Sequence, residues 1–181
     1  PQIAKLPERL IKPRSGEIPL HYDLKYLSAP MQDTAELNIL NARNEIVKMA
    51  GVVEDMFLKF SQAFTKHGGK IDDEVEEMKR IEDYTDEMQE KLSSYLVLCT
   101  QGNLNEKSAG NVNALLKIVY ELESIGDSSL NLMLKLERKF DKKLSFSKKS
   151  MEEIAPYMYT VSEFLRFVKE HVGKKLNQED L

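Results

Sequence analysis

An all-α fold, an elongated antiparallel bundle of about four long helices, follows from three features of the sequence. Apolar residues recur at alternating steps of four and three from residue 33 almost to the C-terminus. The alternation of a half-buried strand is absent throughout. The breaks between periodic stretches are short and carry Gly or Asn, which makes successive helices antiparallel neighbours.

Residues 1–32 read as an extended linker, because Pro7, Pro13, Pro19 and Pro30 recur too often for a helix. Lys5, Arg9, Lys12 and Arg14 make its first half mildly basic. That suits either an ordinary charged linker or the cytoplasmic flank of a membrane helix. The chain opens at Pro1 without a Met or a signal-like segment, as a processed protein or a fragment of a longer one would. Residues 33–181 form the bundle.

Asp33 and Glu36 make an aspartate form of the capping box and start helix one. Its stripe is Ala35, Ile39, Ala42, Ile46, Met49, Val53, Met56, Phe60 and Ala63, and Gly68-Gly69 should end it. Helix two, about 71–100, carries Ile71, Met78, Ile81, Met88, Leu92, Tyr95 and Cys99, and Gln101-Gly102-Asn103 is the turn after it. Helix three, about 105–140, has the seam Val112, Leu115, Val119, Leu122, Gly126, Ser129, Met133, Leu136 and Phe140. A second line beside that seam predicts more than one neighbour. Helix four, about 147–176, carries Met151, Ile154, Met158, Val161, Leu165, Val168 and Val172. Pro156 should kink it or mark its true first turn.

Composition removes several classes of function. A hydrophobic content of 41% supports a core, yet no apolar run approaches the roughly 18 residues of a membrane span. Net charge is −4 with both signs interleaved, so there is no basic field for nucleic acid. The one cysteine, Cys99, sits in an apolar stripe and reads as core. Gly68-Gly69 lacks the Lys-Ser/Thr of a phosphate loop, and Ser128-Ser129 has no adjacent histidine, which leaves these serines packing roles. His67 suits the capping of a helix end. Lys142-Lys143 and Lys148-Lys149 are basic islands, read as solvated surface, with partner or lipid contact as the lesser reading.

Chemistry concentrates in two acid-x-x-x-acid pairs. On helix three, Glu123 and Asp127 interrupt the line Leu116, Tyr120, Glu123, Asp127, Leu130, Leu134, one turn apart on one face. Carboxylates in such a stripe are costly unless compensated. Gly126 and Ser129 leave room beside Asp127 for a ligand or a close helix contact. On helix two, Glu82 and Asp86 repeat the spacing within an acid-rich stretch where a solvated face is the plainer reading. On adjacent antiparallel helices the four carboxylates could converge, and would then need raised pKa values or a cation. Oxygen-only ligation suits hard ions, or iron with water or hydroxide. No histidine lies three residues after a glutamate, so the Glu-x-x-His element of di-iron bundles is missing.

The segment Leu115–Asp127, ending Glu121-Leu122-Glu123-Ser124-Ile125-Gly126-Asp127, resembles the Leu-Glu-Arg-Ile-Gly-Asp signature of PhoU proteins. Arg80-Ile81-Glu82-Asp83-Tyr84-Thr85-Asp86 is similar to that family's paired acidic motif one helix earlier, and Ala35–Met56 to its first helix. Tyr26–Pro30 and Leu92–Leu96 resemble the PhoU-type cytoplasmic domain of bacterial sodium/phosphate cotransporters. Ser124 stands where the family usually has Arg, and Ser128 where His commonly follows.

The resemblance implies a non-enzymatic regulatory domain of a sodium-dependent inorganic phosphate transporter. It would lie on the cytoplasmic side of the inner membrane, partnered by the transporter's membrane domain. It nominates Glu82, Asp86, Glu123 and Asp127 as metal ligands, with iron, zinc or magnesium as the ion. One three-helix repeat plus a first helix implies one such site, not two. A stand-alone phosphate-signalling regulator is the alternative, and a carboxylate-bridged di-metal oxidoreductase is the alternative from another class. Tyr157, Phe164 and His171 widen the apolar face of helix four and suggest a homodimer.

Overall fold

The computed structural model describes residues 22, 35–66, 69–101 and 104–174. Among them are four helices and no strand: α1 Ala35–Thr65, α2 Asp72–Thr100, α3 Glu106–Asp141 and α4 Lys148–Val172. The Asp33 cap, the linker apart from Tyr22, His67 and residues 175–181 lie outside the described residues.

Each helix start has a local cause. Asn105 accepts a hydrogen bond from the Ser108 amide and caps α3, and Ser147 does the same for the Ser150 amide at α4. α3 closes with Leu144 N–H donating to the Lys139 carbonyl and Lys143 N–H to the Phe140 carbonyl, with Lys143 left-handed at φ 54°. This is a Schellman closure with lysine where glycine is usual. α1 ends at Thr65, ahead of the expected Gly68-Gly69, because the Thr65 hydroxyl and Lys66 amide turn back onto the Gln62 and Ala63 carbonyls. Pro156 does not mark the first turn of α4. Ser147 caps two turns earlier, and the helix runs through the proline.

The four-three stripes become the core. Ile39, Ala42, Ile46, Met49, Val53, Met56, Phe60 and Ala63 of α1 are all buried, as are the seven expected residues of α2 and Val112 through Leu136 of the α3 seam. Cys99 is among them. Lys59 pairs with Glu77, and Lys66 with Glu74, so α1 and α2 run antiparallel. Gly126 faces both Met56 and Thr85, which makes α1, α2 and α3 a mutually packed three-helix unit.

α4 departs from expectation. Among the described helices it packs on α1 and not on α3, its neighbour in sequence. Phe146 in the turn packs at a tilt on Phe64 at the end of α1, 4.8 Å between ring centres, and leads the chain back onto α1. α4 then runs antiparallel to α1: Lys169 pairs with Glu54 at 2.7 Å. Gly173 lies so close to Val47 that a Cβ would stand 2.9 Å from its Cγ2. With one partner helix, only Leu165 of the predicted α4 stripe is buried. Met151, Ile154, Met158, Val168 and Val172 are half-covered, and Tyr157 and Phe164 face outward at 75% and 56% exposure.

One polar anchor is buried. Glu45 is fully enclosed, accepting hydrogen bonds from the Tyr22 hydroxyl at 2.5 Å and Lys48 at 2.6 Å. Tyr22 is itself buried, donates its amide to Glu87, accepts from Lys91 and packs edge-on against Tyr84. Burial, then the Glu45 carboxylate, holds its phenol protonated well above the ordinary range. Tyr22→Phe leaves a buried carboxylate short of a donor and is expected to cost about 1–3 kcal/mol. Urea unfolding of the two proteins measures this, and a midpoint unchanged in Tyr22→Phe would show that Glu45 does not depend on the phenol.

Candidate metal centre

Helix register places the acidic side chains. Thr85, fully buried between Glu82 and Asp86, lies opposite Gly126, and a Cβ on Gly126 would sit 3.5 Å from both Thr85 Oγ1 and Met56 Sδ. The space beside Asp127 is therefore taken up by a close helix contact. Glycine brings α3 near enough to α2 for carboxylates from both to meet. Thr85 completes the contact by turning its hydroxyl onto the Glu82 carbonyl at 2.9 Å, as Ser129 does onto Ile125 at 2.8 Å. Ser129 is buried as expected, whereas Ser128 is exposed and packs nothing.

Three of the four nominated residues converge. One carboxylate oxygen each from Glu82, Asp86 and Asp127 lie within 4.8 Å of one another. Glu123 is outside that set. With Thr85 opposite Gly126 and the helices antiparallel, Asp127 stands level with the gap between Glu82 and Asp86. Glu123 stands one turn further along, beyond Asp86. The acids also lie at the rim of the α2–α3 groove and not within its greasy interior. Glu82, Glu123 and Asp127 are half-buried and Asp86 is exposed, while the fully buried line of α3 passes through Leu122, Gly126 and Ser129.

The charges are uncompensated. Burial first, then the charges of Asp86, Asp127 and Asp83 and a hydrogen bond to Asp127, push the Glu82 carboxyl up to about 7. Asp86 is raised by burial and by Asp127 and Asp83. Glu123 is raised by burial and by Asp127 and Asp86. No lysine or arginine contributes to any of these shifts. A proton shared between Glu82 and Asp127 is the default occupant of such a site, and a cation is the alternative.

The residue missed in the sequence was Thr85. Its signal was the gap in the four-three series between Ile81 and Met88, a position only Thr85 can fill. Glu45 and Tyr22 were not assigned roles either, because nothing local marks a glutamate as buried.

A PhoU domain model matches residues 46–136, just over half of the chain and enclosing both acid pairs. The chain belongs to the PhoU domain family. No curated protein and no solved structure matches it. In this PhoU domain the family match spans the last two-thirds of α1, all of α2 and most of α3, the three helices that pack on one another, and stops short of α4.

The raised carboxyls make stability depend on pH with a definite sign. The folded pKa of Glu82, about 7, exceeds its ordinary 4.5, so the folded state holds a proton that the unfolded chain releases. Stability without a cation should then fall as pH rises from about 4.5 to about 7, and level off above. Glu82→Gln should flatten that slope. Near pH 8 it should stabilise the fold by about 1 kcal/mol, a few tenths for each of three like-charged neighbours, or ~2–4 °C for a chain of this size. Melting curves in chelator across that range check it, and a Glu82→Gln variant as pH-sensitive as the parent would contradict the assignment.

Proposed function

We propose that the chain is a non-enzymatic regulatory domain in inorganic phosphate uptake, and that Glu82, Asp86 and Asp127 hold a divalent cation between α2 and α3. The convergence of three like-charged oxygens, with no described lysine or arginine shifting Glu82 or Asp86, is the observation that carries the site reading. PhoU family membership supports the link to phosphate. The donor set is carboxylate only, which fits hard ions such as magnesium better than zinc, whose sites favour histidine and cysteine. Iron with water completing its shell is the other fit. Glu123 would act from outside the set, adding negative charge and accepting from a bound water. Such an ion would replace the shared proton and tie α2 to α3, so that its loss loosens their packing. A coupling of a few kcal/mol would suffice to bias an attached transporter.

The sodium/phosphate cotransporter reading rests on the Tyr26–Pro30 and Leu92–Leu96 resemblances. In it the bundle sits on the cytoplasmic side of the inner membrane against the transporter's membrane domain. No described helix is long and apolar enough to cross a membrane, so any span would lie outside the described residues. A stand-alone regulator is the alternative.

Melting in magnesium, manganese or ferrous iron after chelation tests the site. Saturation at about a hundredfold over Kd should add about 2.7 kcal/mol, or ~5–11 °C for this length. Asp127→Asn and Glu82→Gln should abolish that gain, and absence of any metal-dependent shift in the parent chain would end the cation reading. The same variants in the full-length gene should change sodium-driven phosphate uptake at unchanged protein level. Unaltered uptake would remove the transporter role.

The outward Tyr157 and Phe164 on an α4 supported by one helix favour a symmetric partner packing α4 on α4. Sedimentation velocity over a wide concentration range should show dimer. A monomer at every concentration would rule this out.

A further inference from the structure

The end of the bundle opposite in character to the acidic cluster carries a different chemistry. The turn between α3 and α4 reads Lys142-Lys143-Leu144-Ser145-Phe146-Ser147-Lys148-Lys149, two lysine pairs flanking two apolar residues with no acid between. Leu144 is 57% exposed and Phe146 37%. An ordinary solvated turn has no reason to present these side chains to water, least of all between four cations. Lys143 occupies the left-handed position where glycine is usual, so a charge is kept where the backbone would favour none.

Behind the turn lies a cavity of about 670 Å³, within the range of roughly 300–1,000 Å³ typical of ligand sites. Phe64, Phe140, Phe146 and Met151 form its apolar walls, Lys139, Lys143 and Lys148 its basic ones, and no described acid lines it. Lys66 also reaches it but is held by Glu74. Lys139 lies 3.4 Å from the centre of the Phe146 ring, and its ammonium is pushed down by burial. Lys148 and Lys149 meet only Glu152 and Glu153, at 3.7 and 3.8 Å and almost fully exposed, contacts that compete poorly with a phosphate. The combination is an apolar recess rimmed by cations beside an exposed apolar tip. It is complementary to an anionic amphiphile.

We propose that this end of the bundle docks on an anionic phospholipid surface. Leu144 enters the headgroup layer while Phe146 stays packed on Phe64, Lys142, Lys143, Lys148 and Lys149 meet lipid phosphates, and the cavity seats one lipid. Its phosphate lies among Lys139, Lys143 and Lys148, and its apolar part rests against Phe64, Phe140 and Met151. A bilayer is favoured over a soluble anion because Lys142 and Lys149 stand outside the cavity lining, where a ligand confined to the cavity would leave them unengaged, and Leu144 at its rim is 57% exposed. Docking through this end depends on neither the acidic site nor a transporter role, and stands independently of both.

The chain has no tryptophan, so Leu144→Trp introduces a single fluorescent probe at an exposed position. The expected result is co-sedimentation with phosphatidylglycerol-containing vesicles and none with pure phosphatidylcholine. A blue shift of the Leu144→Trp emission should accompany binding. A lysine near an anionic surface contributes about fivefold, so changing all four turn lysines to Gln should weaken binding at least ~100-fold. Gln at Lys107 and Lys117, toward the other end of α3, should leave it within severalfold, and thermal melts confirm folding of each variant. Binding that ignores lipid charge, survives loss of the turn lysines or leaves the tryptophan in water would overturn the proposal. So would tight binding of inorganic phosphate or a nucleotide at the cavity with no vesicle binding.

Discussion

Everything specific about this molecule depends on how closely α3 can approach α2 at one level. Gly126 packs against Thr85 and Met56 where the three helices meet, and this is also the level at which the carboxylates of Glu82, Asp86 and Asp127 meet. A bulky residue at position 126 would push α3 outward and separate Asp127 from Glu82 and Asp86. Packing and electrostatics are thus opposed at a single place. Hydrophobic burial along Ile81, Met88, Leu122 and Met133 draws the helices together, and that approach forces like charges into contact.

This opposition gives the fold a built-in sensitivity. A core held by apolar contacts alone would be indifferent to pH and to divalent ions. Here burial and mutual repulsion at the rim of the α2–α3 groove raise the carboxyls of Glu82, Asp86 and Glu123, so protonation there is coupled to helix packing. Between α1 and α2 the Tyr22–Glu45–Lys48 anchor shows the opposite solution, a buried carboxylate that accepts from two donors and is therefore structural.

α4 belongs to a different regime. It rests on α1 alone, tethered by Leu165, the Lys169–Glu54 pair and the close fit of Gly173 to Val47. Its burial is shallow for its length, and local stability should follow burial. The α3–α4 turn meets the end of α1 through Phe146 on Phe64. The molecule thus has a firm three-helix unit that carries the acids and a lightly attached fourth helix with its basic turn.

The four-three spacing of apolar residues was enough to determine the number of helices and the buried faces of α1, α2 and α3, because side-chain direction on a helix is set by position alone. The spacing of Glu82 with Asp86, and of Glu123 with Asp127, likewise put each pair on one face. Sequence could not supply the stagger between facing helices, and that stagger admits Asp127 to the cluster and leaves Glu123 outside it. Nor could it show that Thr85 is buried, that the acids stand at the rim, or that α4 bypasses α3 to lie on α1. These are matters of axial register and of which helix covers which. They are decided by contacts between residues far apart in the chain, such as Gly126 with Thr85 and Phe146 with Phe64, which no local pattern encodes.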